Sequence, residues 1–529
     1  MAGGTWIDQN KVRPGVYINY KSKPASLAQM GERGTVAIAQ VLDWGERSKW
    51  YIISDPSDCE QFGHSIADDA CLFVRQILKG TNRTAGASKI LLWSLETPLS
   101  VTQTVTANGF TIMHQAQGEV KDLVFGTNNE KMDYNESYSY SVTLINANAI
   151  SNPEIVNNDG KVALKFDVTS ASGEIAGANV TYTDPGAQKA TATIGNLVAT
   201  ARYFGTFGNR LSVAISAGAS STFNVQTKLD GQIVDSQVVS AITDLVSNSY
   251  IDWSGTGDLA VNSGVVLSGG TNGEAGASDY AAFLSALEPE KFDIVICDSS
   301  DASIKASFCD FVKRLSNDEG QRCQAVVSNL SNDSECVISV YNQTVTLNDG
   351  TELDSQKLTW WVGGASAGAN VNESLTYASH PDAVDVTPKL TASQQESAIN
   401  NGHIAFISQF GKIQILTDIN TFTTFSTNKG RAFRKNRVVR TVFGLCNDIY
   451  KTFALYHIGV TDNNDDGRAA LKGEILDLMS RYEGNRALQN VNPDDVTVIK
   501  GIDSDAVVIE IYCQPVDSIE KIYVNITIS

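Results

Sequence analysis

The chain reads as a multidomain α/β and α+β protein with an inserted β-sandwich and an extended β-arm at each end. Three observations predict this. Apolar runs alternate with segments of helical period near the start and again through the middle. Between them, from about residue 100 to about 195, short alternating runs are separated by Asn, Gly and Pro turns, the pattern of a small all-β unit. At the ends, Val16, Ile18 and Tyr20 alternate with Tyr17, Asn19 and Lys21, while Ile522, Val524, Ile526 and Ile528 alternate with Tyr523, Asn525, Thr527 and Ser529. That period of two is the mark of a half-buried strand.

Taken in order, residues 34–42 read as a buried strand, and 65–78 as a helix carrying Ile66, Ala70, Phe73, Val74 and Ile77 on one face and stopped by Lys79-Gly80. Residues 89–95 form another strand. After the β-rich stretch, helices at 277–287 and 302–315 alternate with strands at 292–297 and 323–327, which predicts a largely parallel sheet covered on both faces. A strand is expected at 357–362. Beyond Thr391 come a hairpin (404–409 with 413–416), helices at 438–455 and 469–482, and strands at 495–502 and 506–514. A terminal strand would pair within its own subunit and close this unit, or serve as an arm that adds to a neighbour's sheet.

A length of 529 residues predicts several domains, and 42% hydrophobic with 19% charged residues is a globular balance. No apolar run reaches 18 residues, so no membrane insertion is expected. Met1-Ala2-Gly3-Gly4-Thr5-Trp6 has neither the basic nor the apolar region of a signal peptide, so assembly in the cytoplasm is expected. The formal net charge of −19 argues against a nucleic-acid partner. Eight cysteines without a CxxC pair read as buried free thiols, so a zinc site is not expected. No other metal or cofactor is expected.

Four motifs carry possible chemistry. Gly364-Ala365-Ser366-Ala367-Gly368 fits the G-x-S-x-G nucleophile elbow, with His380 and His403 downstream, which frames a serine hydrolase on Ser366 as one alternative. Gly269-Gly270-Thr271-Asn272-Gly273 lacks the spacing of a phosphate loop and reads as plain loop. Asp462-Asn463-Asn464-Asp465-Asp466-Gly467 matches half a calcium loop, but Gly473 stands where the bidentate glutamate belongs; a helix-capping turn is expected. Lys429, Arg431, Arg434, Lys435, Arg437 and Arg440 form the one dense basic cluster of an acidic chain, either a solvated face or a contact for an acidic partner. A monomeric module whose β-rich insertion binds glycans is a further alternative.

Lys11-Val12-Arg13-Pro14-Gly15-Val16-Tyr17-Ile18 and Val516-Asp517-Ser518-Ile519-Glu520-Lys521-Ile522-Tyr523 resemble the terminal segments of contractile tail sheath proteins, above all those of Gram-positive phages and defective phage-tail particles. Arg202–Val213, Leu267–Gly273 and Ser374-Leu375-Thr376-Tyr377 extend the resemblance. It implies a non-enzymatic virion subunit that polymerises helically around an inner tail tube and contracts to drive that tube through an envelope. It further implies an N-terminal arm at 1–25 and a subtilisin-like α/β domain without protease activity, in two parts at 26–98 and 199–388. An outward-facing β-sandwich at 99–198, an inner α+β domain at 389–515 and a C-terminal β-arm at 516–529 complete the expected layout. The implied partners are further copies of the chain, the tube protein, and baseplate and tail terminator proteins. The arm residues would be Val16, Tyr17, Ile18, Asn19, Tyr20, Ile522, Tyr523, Val524, Asn525, Ile526, Thr527 and Ile528, and the 429–440 cluster would face the tube.

Overall fold

The computed structural model describes residues 3–4, 16–17, 30–31, 33–97, 101–113, 119–127, 129–136, 138–145, 150–169, 172–184, 186–427 and 429–528. Its centre is a seven-stranded sheet. Thr35–Gln40 lies between Lys89–Ser94 and Ile294–Ile296, both parallel to it, and Gln324–Ser328, Val337–Val340 and His403–Ile404 continue the parallel order outward. Trp50–Ile53 closes the opposite edge antiparallel to Lys89–Ser94. The pleat sorts side chains between two cores: Val36 and Ile38 enter one, Ala37 and Ala39 the other. That is why these strands are apolar throughout rather than alternating.

Helices α1 (Leu72–Leu78) and α4 (Leu358–Gly368) cover the first face, while α2 (Ala277–Leu287) and α3 (Ala302–Asn317) cover the second. The regular turn of α1 starts later than its period suggests. Arg75 Nη1 donates to the carbonyls of Ile66 and Asp68, both at 2.7 Å, and holds the preceding segment as a turn. The stretch read as a strand at 357–362 is instead the start of α4. It is buried on every side, so it carries no polar face from which a helical period could be read. A Cβ at Gly364 would lie 2.0 Å from the Ile77 carbonyl, and one at Gly368 would lie 2.1 Å from that of Gly86. The small residues of α4 therefore let it approach α1 backbone to backbone.

The inserted sandwich is present. Val101–Met113, Ser172–Asp184 and Ser139–Ile145 form one antiparallel sheet, and Glu119–Asp122, Lys161–Val168 and Ile150–Asn158 the other. Leu123, Val162, Leu164, Phe166, Ile175 and Val180 fill the space between them. The expectation that the α/β domain resumes at 199 is corrected. A second β unit runs from Thr191 to Val266, with Leu211–Ala217, Phe223–Leu229, Gln232–Val239 and Asn262–Val266 as its larger sheet. Its core includes Leu197, Phe207, Val213, Ile215 and Ile251. The glycine-rich 269–273 segment is its exit, where Thr271–Asn272 pairs with Ala187–Gln188.

The C-terminal unit begins with α5 (Ala392–Asn400) and the hairpin Phe406–Gln409 with Lys412–Ile415. Helices α6 (Asn436–Tyr456) and α7 (Asp465–Gly484) then pack through Leu445, Ile475, Leu478, Met479 and Tyr482, with Val496–Lys500 and Val507–Ile511 as a two-stranded sheet beside them. No described helix is long and apolar enough to cross a membrane.

Candidate assembly surface at the chain ends

The C-terminal segment leaves its domain along a defined track. Tyr512 N donates to Asp495 O at 2.8 Å, Gln489 N to Gln514 O at 3.0 Å, and Val516 N to Ala487 O at 2.9 Å. Glu520 is the last anchored residue. Its carboxylate pairs with Lys435, at the entrance to α6, and accepts from Thr376 Oγ1 at 2.8 Å. Beyond it, residues 521–528 make no hydrogen bond to any described residue, and the terminal strand expected within the subunit is not formed. Ile522 is 78% exposed, Val524 71%, Ile526 83% and Ile528 92%, with Tyr523 at 90% and Asn525 and Thr527 also in solvent. An alternating apolar segment with free backbone donors and acceptors is a template for strand addition.

The root of the N-terminal segment is tied down in the same way. Gly31 N donates to Asp448 Oδ1 at 2.8 Å, and Tyr482 donates to the other oxygen at 2.7 Å. Burial raises the Asp448 carboxyl above the usual range despite these two donors. Gly34 N and Thr35 N donate to Asp293 at 2.9 and 3.1 Å, and Arg33 pairs with it at 3.3 Å. Upstream, Val16–Tyr17 runs parallel to Gly3–Gly4 in a two-residue ladder, while Ile18, Asn19 and Tyr20 lie outside the described residues. Helix α6 and the Lys435 that caps its start thus anchor both ends, a link that no local sequence pattern announces.

The basic cluster is not the single solvated face that its density allowed; its residues divide among buried, ion-paired and exposed positions. Arg440 is buried against Asp418 at 3.7 Å and donates to the Glu373 carbonyl at 2.8 Å. Lys435 is engaged by Glu520, and Lys429 by Glu335, with the Lys429 ammonium also over the Phe422 and Phe433 rings. Arg434 is buried with Nε and Nη2 unpartnered; burial lowers its pKa, and neighbouring Arg431 adds to that. Arg437 is half-buried and reaches the Arg486 carbonyl at 3.5 Å. Arg431 alone of the six is exposed.

The other motifs have structural occupations. Ser366 is wholly buried in α4 with its hydroxyl unpartnered, not at a strand-to-helix elbow. His380 is held 2.8 Å from Gln76 Oε1, and His403 lies 2.9 Å from Ser339 Oγ. In the acidic turn, Asn464 caps α7 by accepting from Gly467 N at 2.8 Å, and Asn463 donates to the Ser504 and Ala506 carbonyls. No group of three or more His, Cys, Asp or Glu among the described residues is placed to hold a metal ion.

Comparison with known proteins agrees with this architecture. Residues 185–272 match the phage tail sheath protein beta-sandwich domain, 273–421 the phage tail sheath protein central domain, and 428–529 the phage tail sheath C-terminal domain. The sheath tail protein of Desulfitobacterium hafniense is 33% identical, with a TM-score of 0.71 over 96% of this chain and 99% of that one. The sheath tail protein of Listeria innocua is 26% identical, with a TM-score of 0.63 over 94% of this chain and 95% of that one. Phage-like element PBSX protein XkdK of Bacillus subtilis is 28% identical over the full length of both chains. The chain therefore belongs to the phage tail sheath family, as a structural subunit of a contractile sheath rather than an enzyme.

Proposed function

We propose that the subunits polymerise helically around an inner tail tube, each chain adding its terminal segments to sheets of its neighbours. The observation that carries this is the segment 521–528, anchored at Glu520 and then alternately apolar, exposed and unpaired. The hairpin Val496–Lys500 with Val507–Ile511 suits the acceptor role. It is a two-stranded sheet with Ile499 and Val508 exposed, and such hairpins are marginal until further strands join them. A seven-residue strand adds several backbone hydrogen bonds, each worth about 0.5–1.5 kcal/mol net, besides its apolar face.

Such links would survive while subunit bodies rotate and repack, so the energy of contraction would reside in body-to-body contacts. Within the basic cluster, exposed Arg431 and half-buried Arg437 remain the candidates for a contact with the tube. Baseplate and terminator proteins would cap the two ends of the polymer, and assembly would take place in the host cytoplasm. Deleting Tyr523–Ser529 tests the arm model. The truncated subunit is expected to keep its melting temperature yet form no long cylinders in negative-stain microscopy; cylinders of ordinary length would refute strand exchange.

A further inference from the structure

The hairpin joining Phe406–Gln409 to Lys412–Ile415 turns through two residues, Phe410 and Gly411, both at positive φ (52° and 72°). Two-residue hairpin turns of this kind favour Asn-Gly or Asp-Gly, because positive φ strains a side chain with a bulky Cβ substituent. Here the strained position holds a phenylalanine that is 95% exposed. Beside the same hairpin, Tyr377 also sits at positive φ (58°) and is 43% exposed; its N–H donates to Ile415 O at 2.7 Å, and its carbonyl accepts from Gln414. The other non-glycine residues at positive φ among those described are Ser, Asn, Asp or Arg. One aromatic exception therefore stands at the tip of this hairpin and the other against its second strand. A cavity of about 160 Å³, lined by Tyr377, Leu390, Phe406, Ile407 and Gln409, opens beside them.

Within the subunit, the Phe410 ring gains no burial to offset its backbone strain. A residue that is unfavourable both locally and in solvent marks a contact made outside the chain. We propose that Phe410 is an inter-subunit knob, and that with Tyr377 and the adjoining cavity it forms a docking surface for a second copy of this chain. The occupant follows from the family, since the neighbours of a sheath subunit are further copies of this chain. Lys412 flanks the tip, is exposed and has no carboxylate partner among the described residues, so it can pair locally with one of the 59 Asp and Glu residues of the incoming copy even though both copies share the same net charge of −19. The receiving surface must differ from the hairpin itself, because a helical lattice is built from heterologous contacts.

The inference rests on self-assembly of the chain but not on strand exchange by its ends. Phe410→Asn installs the turn residue that the backbone prefers while removing the knob. Full-length wild type, Phe410→Asn and Phe410→Trp should be compared by thermal melting and by sedimentation over a concentration series, without and with tube protein. Phe410→Asn is expected to melt about 1–3 °C higher, yet to need about tenfold more protein to polymerise, the scale of one lost buried side chain. Phe410→Trp is expected to restore assembly. An unchanged polymerisation threshold overturns the proposal, and so does a lower melting temperature, which would make the ring an internal prop. A defect seen only with tube protein present would make the tube the occupant and overturn the second-copy assignment. Wild type that never self-associates would sink self-assembly and the knob together. Normal polymerisation of the Tyr523–Ser529 deletion, by contrast, would sink strand exchange and leave this result standing.

Discussion

The strand Thr35–Gln40 and the segment 521–528 are both apolar and extended in sequence pattern, and they meet opposite fates. The first has a parallel neighbour on each side, and Val36, Ala37 and Ile38 are wholly buried. The second has no strand partner among the described residues, and its isoleucines and valine face solvent. Since each buried aliphatic side chain is worth about 1.5–3 kcal/mol, leaving four exposed forgoes a stabilisation comparable to much of a domain's net stability. In the proposed polymer this difference would separate what makes a subunit from what makes a lattice. Thr35–Gln40 has its ladder completed on both sides, while residues 521–528 make no hydrogen bond to any described residue.

The largest effect should come from breaking the finished side. Gly364→Val would drive a side chain into the Ile77 carbonyl and push α4 off α1. A loss of about 3–5 kcal/mol is expected, read in chemical denaturation or as failure to recover soluble protein. Wild-type stability of this variant would mean that the α1–α4 approach is not needed.

Next comes the junction beneath the C-terminal root. Asp418 accepts from Leu375 N at 3.0 Å and from Asn436 Nδ2 at 2.9 Å, besides facing Arg440. Asp418→Ala strands a buried guanidinium and should cost about 3 kcal/mol in the isolated subunit. A change below about 1 kcal/mol would show that the Arg440 site relaxes or admits water.

On the unfinished side the outcome should invert. Asn525→Pro removes one backbone donor without touching the apolar face, so it separates strand addition from plain hydrophobic docking. Monomer stability is expected to stay within about 0.5 kcal/mol of wild type, as for other exposed positions. Polymerisation should drop at least several-fold in a sedimentation assay. Unimpaired polymer would mean that the segment docks by its side chains alone.

The smallest effect is a pH dependence inside the body. His64 lies 2.6 Å from Asp43 and 3.1 Å from Asp68, with its ring edge-on to Phe207 of the second β unit. Burial alone would lower its pKa, but the two carboxylates together raise it above the ordinary value. A raised folded-state pKa stabilises the protonated form, so this contribution is full below about pH 6.5, the unfolded value, and fades as pH rises through the folded value. Denaturation midpoints should therefore fall modestly across that interval in wild type and stay flatter in His64→Gln. Equal slopes would remove His64 from the linkage.

Much of this division was legible in the residues. The helix at 277–287 lies where its apolar spacing puts it. The second β unit was also signalled, by Leu211, Val213 and Ile215 and by Phe223, Val225 and Thr227, yet an expected return to α/β order masked it. Other features had no local signal. Glu520 and Lys435 are 85 residues apart, and nothing around either names the other. The arginines at 431, 434, 437 and 440 look alike in sequence, and only packing separates exposed Arg431 from buried Arg440.

By itself the sequence determined many of the strands and helices, because side-chain period and turn chemistry act within a few residues; where a segment is buried on every side, as at 357–362, the period is lost and the helix reads as a strand. It also carries a strand pattern in its last segment, four branched aliphatics alternating with Tyr523, Asn525, Thr527 and Ser529, which the described subunit leaves unpaired. Whether each segment is completed inside the subunit was decided only by the tertiary structure. Burial, ion pairing and strand pairing depend on which distant residues arrive alongside. Ser366 was buried within α4, Arg440 was paired with Asp418, and the chain beyond Glu520 was left without a hydrogen-bonded neighbour among the described residues.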